Sequence, residues 1–391
     1  MTFSFIQSQI AHQKTQNLYR SRKELDKGTG RLLIHQGEQY INFSSNDYLG
    51  LSQHDDLKSA YIRGINQFGC SSSSSSLVTG YTKVHQELEE LIADWLEAPK
   101  CLLFSTGFSA NSGVLSTLGQ NKSTGYFLDK LSHASLIDGA FNSKALSRRF
   151  KHNDISQLSN MLSNSNCEDK LIVAEGVYSM DGDVGDVSGL NDVAIKHQAN
   201  LYIDDAHGVG VLGSTGQGTI AQQNLKKGSH LIQMITFGKA LATQGAAIAG
   251  SEELIDYLVN RCRDYIYSTA MPAANAMATI ASIKLCQTEH WRREKISALS
   301  QLFKSKLDAS IEITDSQSSI IGVFTGSEEN ALYCQEQLKN RGFWLTAIRP
   351  PTVEKGKSRL RVTITANHND KDISELANCI NEVLGKCLQN K

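Results

Sequence analysis

Nowhere in this 391-residue chain does an uninterrupted apolar stretch approach the roughly 20 residues that a membrane-spanning helix needs. Paired cysteines are missing as well. The eight cysteines (Cys70, Cys101, Cys167, Cys262, Cys286, Cys334, Cys379, Cys387) include no CxxC pair and no metal-ligand spacing. Most lie in apolar surroundings and read as buried free thiols, the dispersed set suits a reducing compartment, and no metal ligand is expected. Charge of one sign is also absent: Lys+Arg 39 against Asp+Glu 40 leaves a net charge of -1. No global field therefore attracts nucleic acid or an acidic membrane surface, and any anion must be held locally. The opening residues MTFSFIQSQIAHQK lack a basic start followed by an apolar run, so a secretory signal is not expected and the chain reads as cytoplasmic. There is no internal repeat. No G-x-G-x-x-G follows a strand with an acidic residue downstream, which argues against a dinucleotide site.

What is present is ordinary globular material, 40% apolar and 20% charged, in a chain too long for one compact core. Short apolar runs alternate with helical patterns, as in a buried parallel sheet with crossover helices. Leu88, Leu91, Ile92, Trp95 and Leu96 share one face of a helix over 84–96, which Pro99 stops. Strands are expected at 101–104, 171–174, 201–203 and 231–236, with helices carrying Val114 and Leu118, then Leu190 and Val193. This predicts an α/β fold: a large doubly wound, mostly parallel sheet domain over 46–280, after an N-terminal segment, 1–45. A linking helix from 273 to about 287 leads to a smaller α+β C-terminal domain over 281–391. In that domain a helix ends at Gly342, strands follow at 343–348 and 360–365, and a final helix carries Ile373, Leu376, Ile380 and Val383. The serine run Ser71 to Ser76 falls between two helical segments of one domain, where an ordered polar loop fits better than a flexible linker.

Three places carry chemistry. Ser105-Thr106-Gly107-Phe108 stands between a strand and a helix, whose first N–H groups lack intrahelical partners and can hold a phosphate. Asp204-Asp205-Ala206-His207-Gly208 follows a strand, at the sheet edge where α/β proteins bind ligands. Thr236-Phe237-Gly238-Lys239 follows another; a lysine among small and apolar residues loses hydration and becomes a usable nucleophile toward an aldehyde. A phosphate site, an aspartate for a pyridinium nitrogen and a lysine for an aldehyde are the three handles of pyridoxal 5′-phosphate (PLP). His207 is placed for the ring hydroxyl, and His133, in Leu131-Ser132-His133-Ala134-Ser135, for the ring face.

These motifs, with Phe43 to Gly50 and Glu175 to Gly182, run in the order of the α-oxoamine synthases, fold-type I PLP-dependent transferases, which the chain resembles from about 20 to 370. The resemblance implies that Lys239 forms the Schiff base and moves protons at Cα. It implies that Asp204 pairs with the pyridine nitrogen and His133 stacks on the ring. Ser179 and His207 would contact the ring hydroxyl, Gly107, Phe108 and Thr236 the phosphate, and Thr269 the phosphate site of a neighbouring subunit in a homodimer. Ile348 to Val353 and Arg359-Leu360-Arg361 resemble the members that join L-alanine to a pimeloyl thioester, carried on coenzyme A or on an acyl carrier protein. Arg361 would then hold the alanine carboxylate, and Arg20 and Thr352 would contact the acyl substrate. A sister activity, glycine with an acetyl group, is the alternative. Where relatives carry a glycine-rich stretch this chain has Ser71 to Ser76, residues that lack glycine's ease at positive φ.

Overall fold

The computed structural model of the protein describes residues 3–16, 18–28, 30–226 and 228–389, with residues 388 and 389 described by backbone alone. The extreme ends of the expected first and last domains, and the first two residues of the opening stretch, lie outside the described residues. The chain groups into two compact units. The larger comprises Asp47–Ser179 and Asp183–Glu294; the smaller comprises the residues up to Asn46, Met180–Gly182, and the residues from Lys295 onward. The breaks expected at 45 and 280 thus differ from this grouping. The N-terminal stretch belongs with the C-terminal one, and the helix Ala273–Thr288 belongs to the larger unit.

In the smaller unit, a helix over Phe5–Thr15 precedes a hairpin of β1 (Leu32–His35) and β2 (Glu38–Asn42). Gln36 and Gly37 both take positive φ (55° and 79°), the two-residue turn whose twist matches antiparallel strands.

The larger unit holds β3 (Lys100–Phe104), β4 (Thr124–Asp129), β5 (Leu146–Phe150), β6 (Asp169–Glu175), β7 (Asn200–Asp204), β8 (Leu231–Thr236) and β9 (Ala246–Gly250). They form one sheet in the order β3-β9-β8-β7-β6-β4-β5, in which β9 alone runs antiparallel to its neighbours. The mostly parallel sheet is as expected. Alternate side chains feed two cores: Tyr126, Val173 and Tyr202 enter one, while Phe127, Ile172 and Ile203 enter the other. A sheet buried on both faces needs apolar residues at successive positions, which is why β6 to β8 stood out in the sequence. Crossover helices include Gly107–Leu118, capped by the Thr106 side chain, and Val187–Lys196. The C-terminal ends of β4, β6, β7 and β8 carry Asp129, Glu175, Asp204 and Thr236.

The serine run is ordered. Ser72 Oγ donates to the Met271 carbonyl, Ala270 N–H donates to the Ser74 carbonyl (3.0 Å), and Ser73 takes φ 53°, a left-handed conformation of the kind glycine adopts most easily.

The smaller unit resumes with β10 (Ile320–Gly326), β11 (Phe343–Trp344), β12 (Thr346–Ile348) and β13 (Ser358–Thr363). The single strand expected over 343–348 is two. β11 pairs in parallel with β2 and β12 antiparallel with β13, the chain changing sheets at buried Leu345. The final helix spans Asp370–Gln389. Among the described residues no helix is long and apolar enough to cross a membrane.

Candidate active site

Seven of the expected residues (Gly107, Phe108, His133, Asp204, His207, Thr236 and Lys239) line one cavity of ≈ 230 Å³ at the C-terminal edge of the sheet. Asp204 ends β7, buried. Its Oδ2 accepts from Asn111 Nδ2 (2.7 Å) and its Oδ1 from the Ala206 N–H (3.0 Å). Asn111 is held in turn by Tyr202 Oη (2.7 Å) and also donates to Ser135 Oγ (2.9 Å). Ser135 lies 2.7 Å from His133 Nδ1, which accepts the Ser135 N–H as well. Nδ1 is therefore the unprotonated nitrogen of that ring. Burial pushes the His133 pKa below its ordinary value, with the Asp204 charge acting the other way, so the ring that faces the cavity is a neutral imidazole.

Lys239 Nζ lies 2.8 Å from His207 Nε2, and Tyr48 Oη lies 2.6 Å from His207 Nδ1. Glu175 pairs in register with Asp204 on the adjacent strand and also lines the cavity. Burial first, then the Asp204 charge, raises its pKa well above the carboxylate range. Two buried carboxylates side by side repel, which disfavours charge on Glu175. Asp205 faces away: it accepts from the Thr219 N–H and Oγ1 and from Gln233 Nε2, and burial pushes it up to about 6.

The helix Gly107–Leu118 opens onto the same cavity. Thr106 Oγ1 accepts the Ser109 N–H and the Thr106 carbonyl accepts the Ala110 N–H. The N–H groups of Gly107 and Phe108 remain at the helix mouth, where the dipole favours an anion. A methyl placed on Gly107 would stand 3.5 Å from Thr236 Oγ1, so that hydroxyl flanks the same spot. An anion cradle, a buried carboxylate and a lysine amine on one cavity are a donor set that fits PLP.

The remaining expected residues lie elsewhere. Ser179 is in the turn after β6 and is not among the lining residues. Thr269 bridges to Ser75, and its carbonyl accepts from Ser105 Oγ (3.4 Å). In the smaller unit Arg361 donates to Asn46 Oδ1 (3.2 Å) and Thr363 Oγ1 (3.0 Å). Arg20 and Thr352, 332 positions apart, meet: Arg20 Nη2 donates to Thr352 Oγ1 (3.3 Å) on the wall of a second cavity of ≈ 770 Å³.

Sequence reasoning missed Asn111, Ser135, Glu175 and Tyr48. Asn111 is four residues past Gly107, one helical turn on, and so shares its face; that spacing was the available signal.

Residues 38–380 match the family described as aminotransferase class I and II. A relative from Saccharophagus degradans named 8-amino-7-oxononanoate synthase is 43% identical, covering 97% of this chain and 96% of its own. One of the same name from Photobacterium profundum is 41% identical, with 97% and 96% covered. Among solved structures, SPT with the PLP internal aldimine superposes with a TM-score of 0.90 at 27% identity, over 98% of each chain. An 8-amino-7-oxononanoate synthase from Francisella tularensis gives 0.76 at 28% identity, over 89% of this chain and 98% of its own.

Proposed function

The chain belongs to the class I and II aminotransferase family, and from that premise we propose that it condenses L-alanine with a pimeloyl thioester. The products are 8-amino-7-oxononanoate, carbon dioxide and the free thiol carrier, a step of biotin biosynthesis, and the cofactor is PLP. When bound, PLP supplies an aldehyde that an amine can capture and an electron-poor ring that stabilises negative charge at the amino acid's Cα.

The observation that carries the reading is the arrangement of Lys239, Asp204 and His133 on one cavity beside the N-terminus of the helix Gly107–Leu118. Lys239 would hold the cofactor's aldehyde carbon through its amine and, as the free amine, would move the proton at the amino acid's Cα. His207, 2.8 Å from that amine, orients it and is itself fixed by Tyr48. Asp204 would face the ring nitrogen, and Asn111 and the Ala206 N–H hold its carboxylate in place. His133 presents a neutral face for stacking. The Gly107 and Phe108 N–H groups and the Thr236 hydroxyl hold the phosphate, and Ser179 joins His207 at the ring hydroxyl. Arg361 grips the alanine carboxylate through a two-pronged guanidinium, which a lysine would not reproduce. Arg20 and Thr352 contact the acyl substrate.

A homodimer suits the exposed apolar residues Leu77, Val78 and Tyr267, which flank the Ser75–Thr269 bridge, and Thr269 is then placed for the partner's phosphate site. The chain is read as cytoplasmic.

Borohydride reduction of the holoprotein followed by peptide mapping is expected to place the label on Lys239, and Lys239→Ala to lose turnover. A label elsewhere sinks the assignment. Assays of alanine and glycine against pimeloyl, acetyl and succinyl thioesters are expected to single out alanine with pimeloyl. Preference for glycine with acetyl would transfer the chain to the sister activity.

A further inference from the structure

His152, outside the cavity lining, touches carboxylates with both ring nitrogens. Nδ1 lies 3.1 Å from Asp129 Oδ1 and Nε2 lies 2.7 Å from Asp183 Oδ2. Ionised carboxylates only accept, so each ring nitrogen must carry a hydrogen, and the ring is an imidazolium. The Tyr178 ring packs edge-on against it, centroids 4.4 Å apart.

Each carboxylate controls a different stretch. Asp129 ends β4 and shapes the turn that leads to His133: its Oδ1 accepts the Leu131 N–H (2.8 Å) and its carbonyl the Ser132 N–H (3.1 Å). Asp183 closes the loop after β6. Its carbonyl accepts the Tyr178 N–H (3.0 Å), and Val177 pairs with Val184, so Ser179 rides on that loop.

We propose that His152 is a positioning residue: a cation clamped between Asp129 and Asp183, it fastens the turn carrying His133 to the loop carrying Ser179 and so sets two contacts to the cofactor. This rests on the reading that His133 and Ser179 touch PLP. A neutral residue leaves buried Asp129 and partly buried Asp183 without their shared counter-charge, and the turn and the loop then lose their common register.

The groups facing His152 are Asp129 from β4, with Glu175 behind it, and Asp183 and Tyr178 from the loop after β6. Its folded pKa is raised to about 10: burial acts downward and is overcome by the hydrogen bonds and charges of Asp129 and Asp183. A raised histidine pKa means the clamp is complete below the ordinary histidine range and is lost as pH climbs through about 10.

The test uses the holoenzyme. His152→Asn is expected to raise the PLP dissociation constant about tenfold or more, the factor that one charge-assisted hydrogen bond commands. It is also expected to weaken the visible circular dichroism of bound PLP, which reports ring orientation. Asp183→Asn keeps the Asp129 contact, cuts the tether toward Ser179, and remains informative should His152→Asn fail to fold. In it the alkaline loss of bound cofactor should begin about one pH unit or more lower than in wild type. Wild-type cofactor affinity, dichroism and alkaline profile in the variant that folds would overturn the clamp, even if its melting temperature fell. Labelling of wild-type Lys239 by borohydride separates the two failures: an absent label defeats the functional reading, whereas a present label with unaffected variants defeats the clamp alone.

Discussion

A carboxylate buried under a cavity needs donors to replace the water it lost. Asp204 has two of them, the Asn111 side chain and the Ala206 N–H, and only the first can be removed by substitution. Asn111→Ala should leave the fold intact yet lower kcat/KM about 10- to 100-fold, the range for a hydrogen bond to a charged group. It also strips Tyr202 Oη of its acceptor. Steady-state kinetics with saturating PLP would check this, and an unchanged kcat/KM would show that the Ala206 N–H suffices. That Lys239, Asp204 and His207 gather at one cavity was legible because each follows a strand end at short range. Asn111 was not, since its role exists only once the helix Gly107–Leu118 lies against β7. Glu175 was hidden for a related reason: a strand-end carboxylate looks solvated until its in-register neighbour proves to be another carboxylate.

At the scale of elements, legibility followed burial. β6, β7 and β8 are apolar enough on both faces to be read directly. β5, Leu146-Ser147-Arg148-Arg149-Phe150, is an edge strand with four exposed positions and offers no such run. β9, Ala246–Gly250, is built of small residues and reverses direction inside the sheet, an arrangement no local pattern announces. The reversal depends on Gly245. It takes φ 117°, and a Cβ there would lie 2.8 Å from Met271 Cε and 3.0 Å from the Phe104 carbonyl. Its own carbonyl accepts both the Phe237 N–H (2.8 Å) and Thr236 Oγ1 (3.0 Å), so the turn sets the segment leading to Lys239. Gly245→Ala should therefore cost about 1–3 kcal/mol of stability. Thermal unfolding of the holoprotein would measure it, and weaker PLP binding should accompany the loss as Thr236 and Lys239 shift. A variant as stable as wild type would mean that the β8–β9 turn has room to relax.

For the molecule as a whole, a net charge of -1 offers no general attraction to an anionic substrate, so attraction must come from where the cations are gathered. The ≈ 770 Å³ cavity of the smaller unit is such a place: Lys14, Arg20, Lys23 and Arg349 line it, and no Asp or Glu is among its described lining residues. The Arg349 guanidinium is held below its ordinary pKa by burial and then by the charge of Arg20, with Glu328 acting the other way. The residues come from opposite ends of the chain, and no sequence pattern joins position 20 to position 352; only the resemblance to relatives had linked them. If the acyl substrate alone meets this surface, as proposed, Arg20→Ala should raise KM for the pimeloyl thioester about tenfold or more while leaving KM for alanine within about twofold. The same KM should climb with ionic strength in wild type and climb less in the variant, since screening lengths fall to about 10 Å near 0.1 M salt. Equal rises in both Michaelis constants would instead point to a general disturbance of the smaller unit, and no rise in either would remove this cavity from the acyl substrate's path.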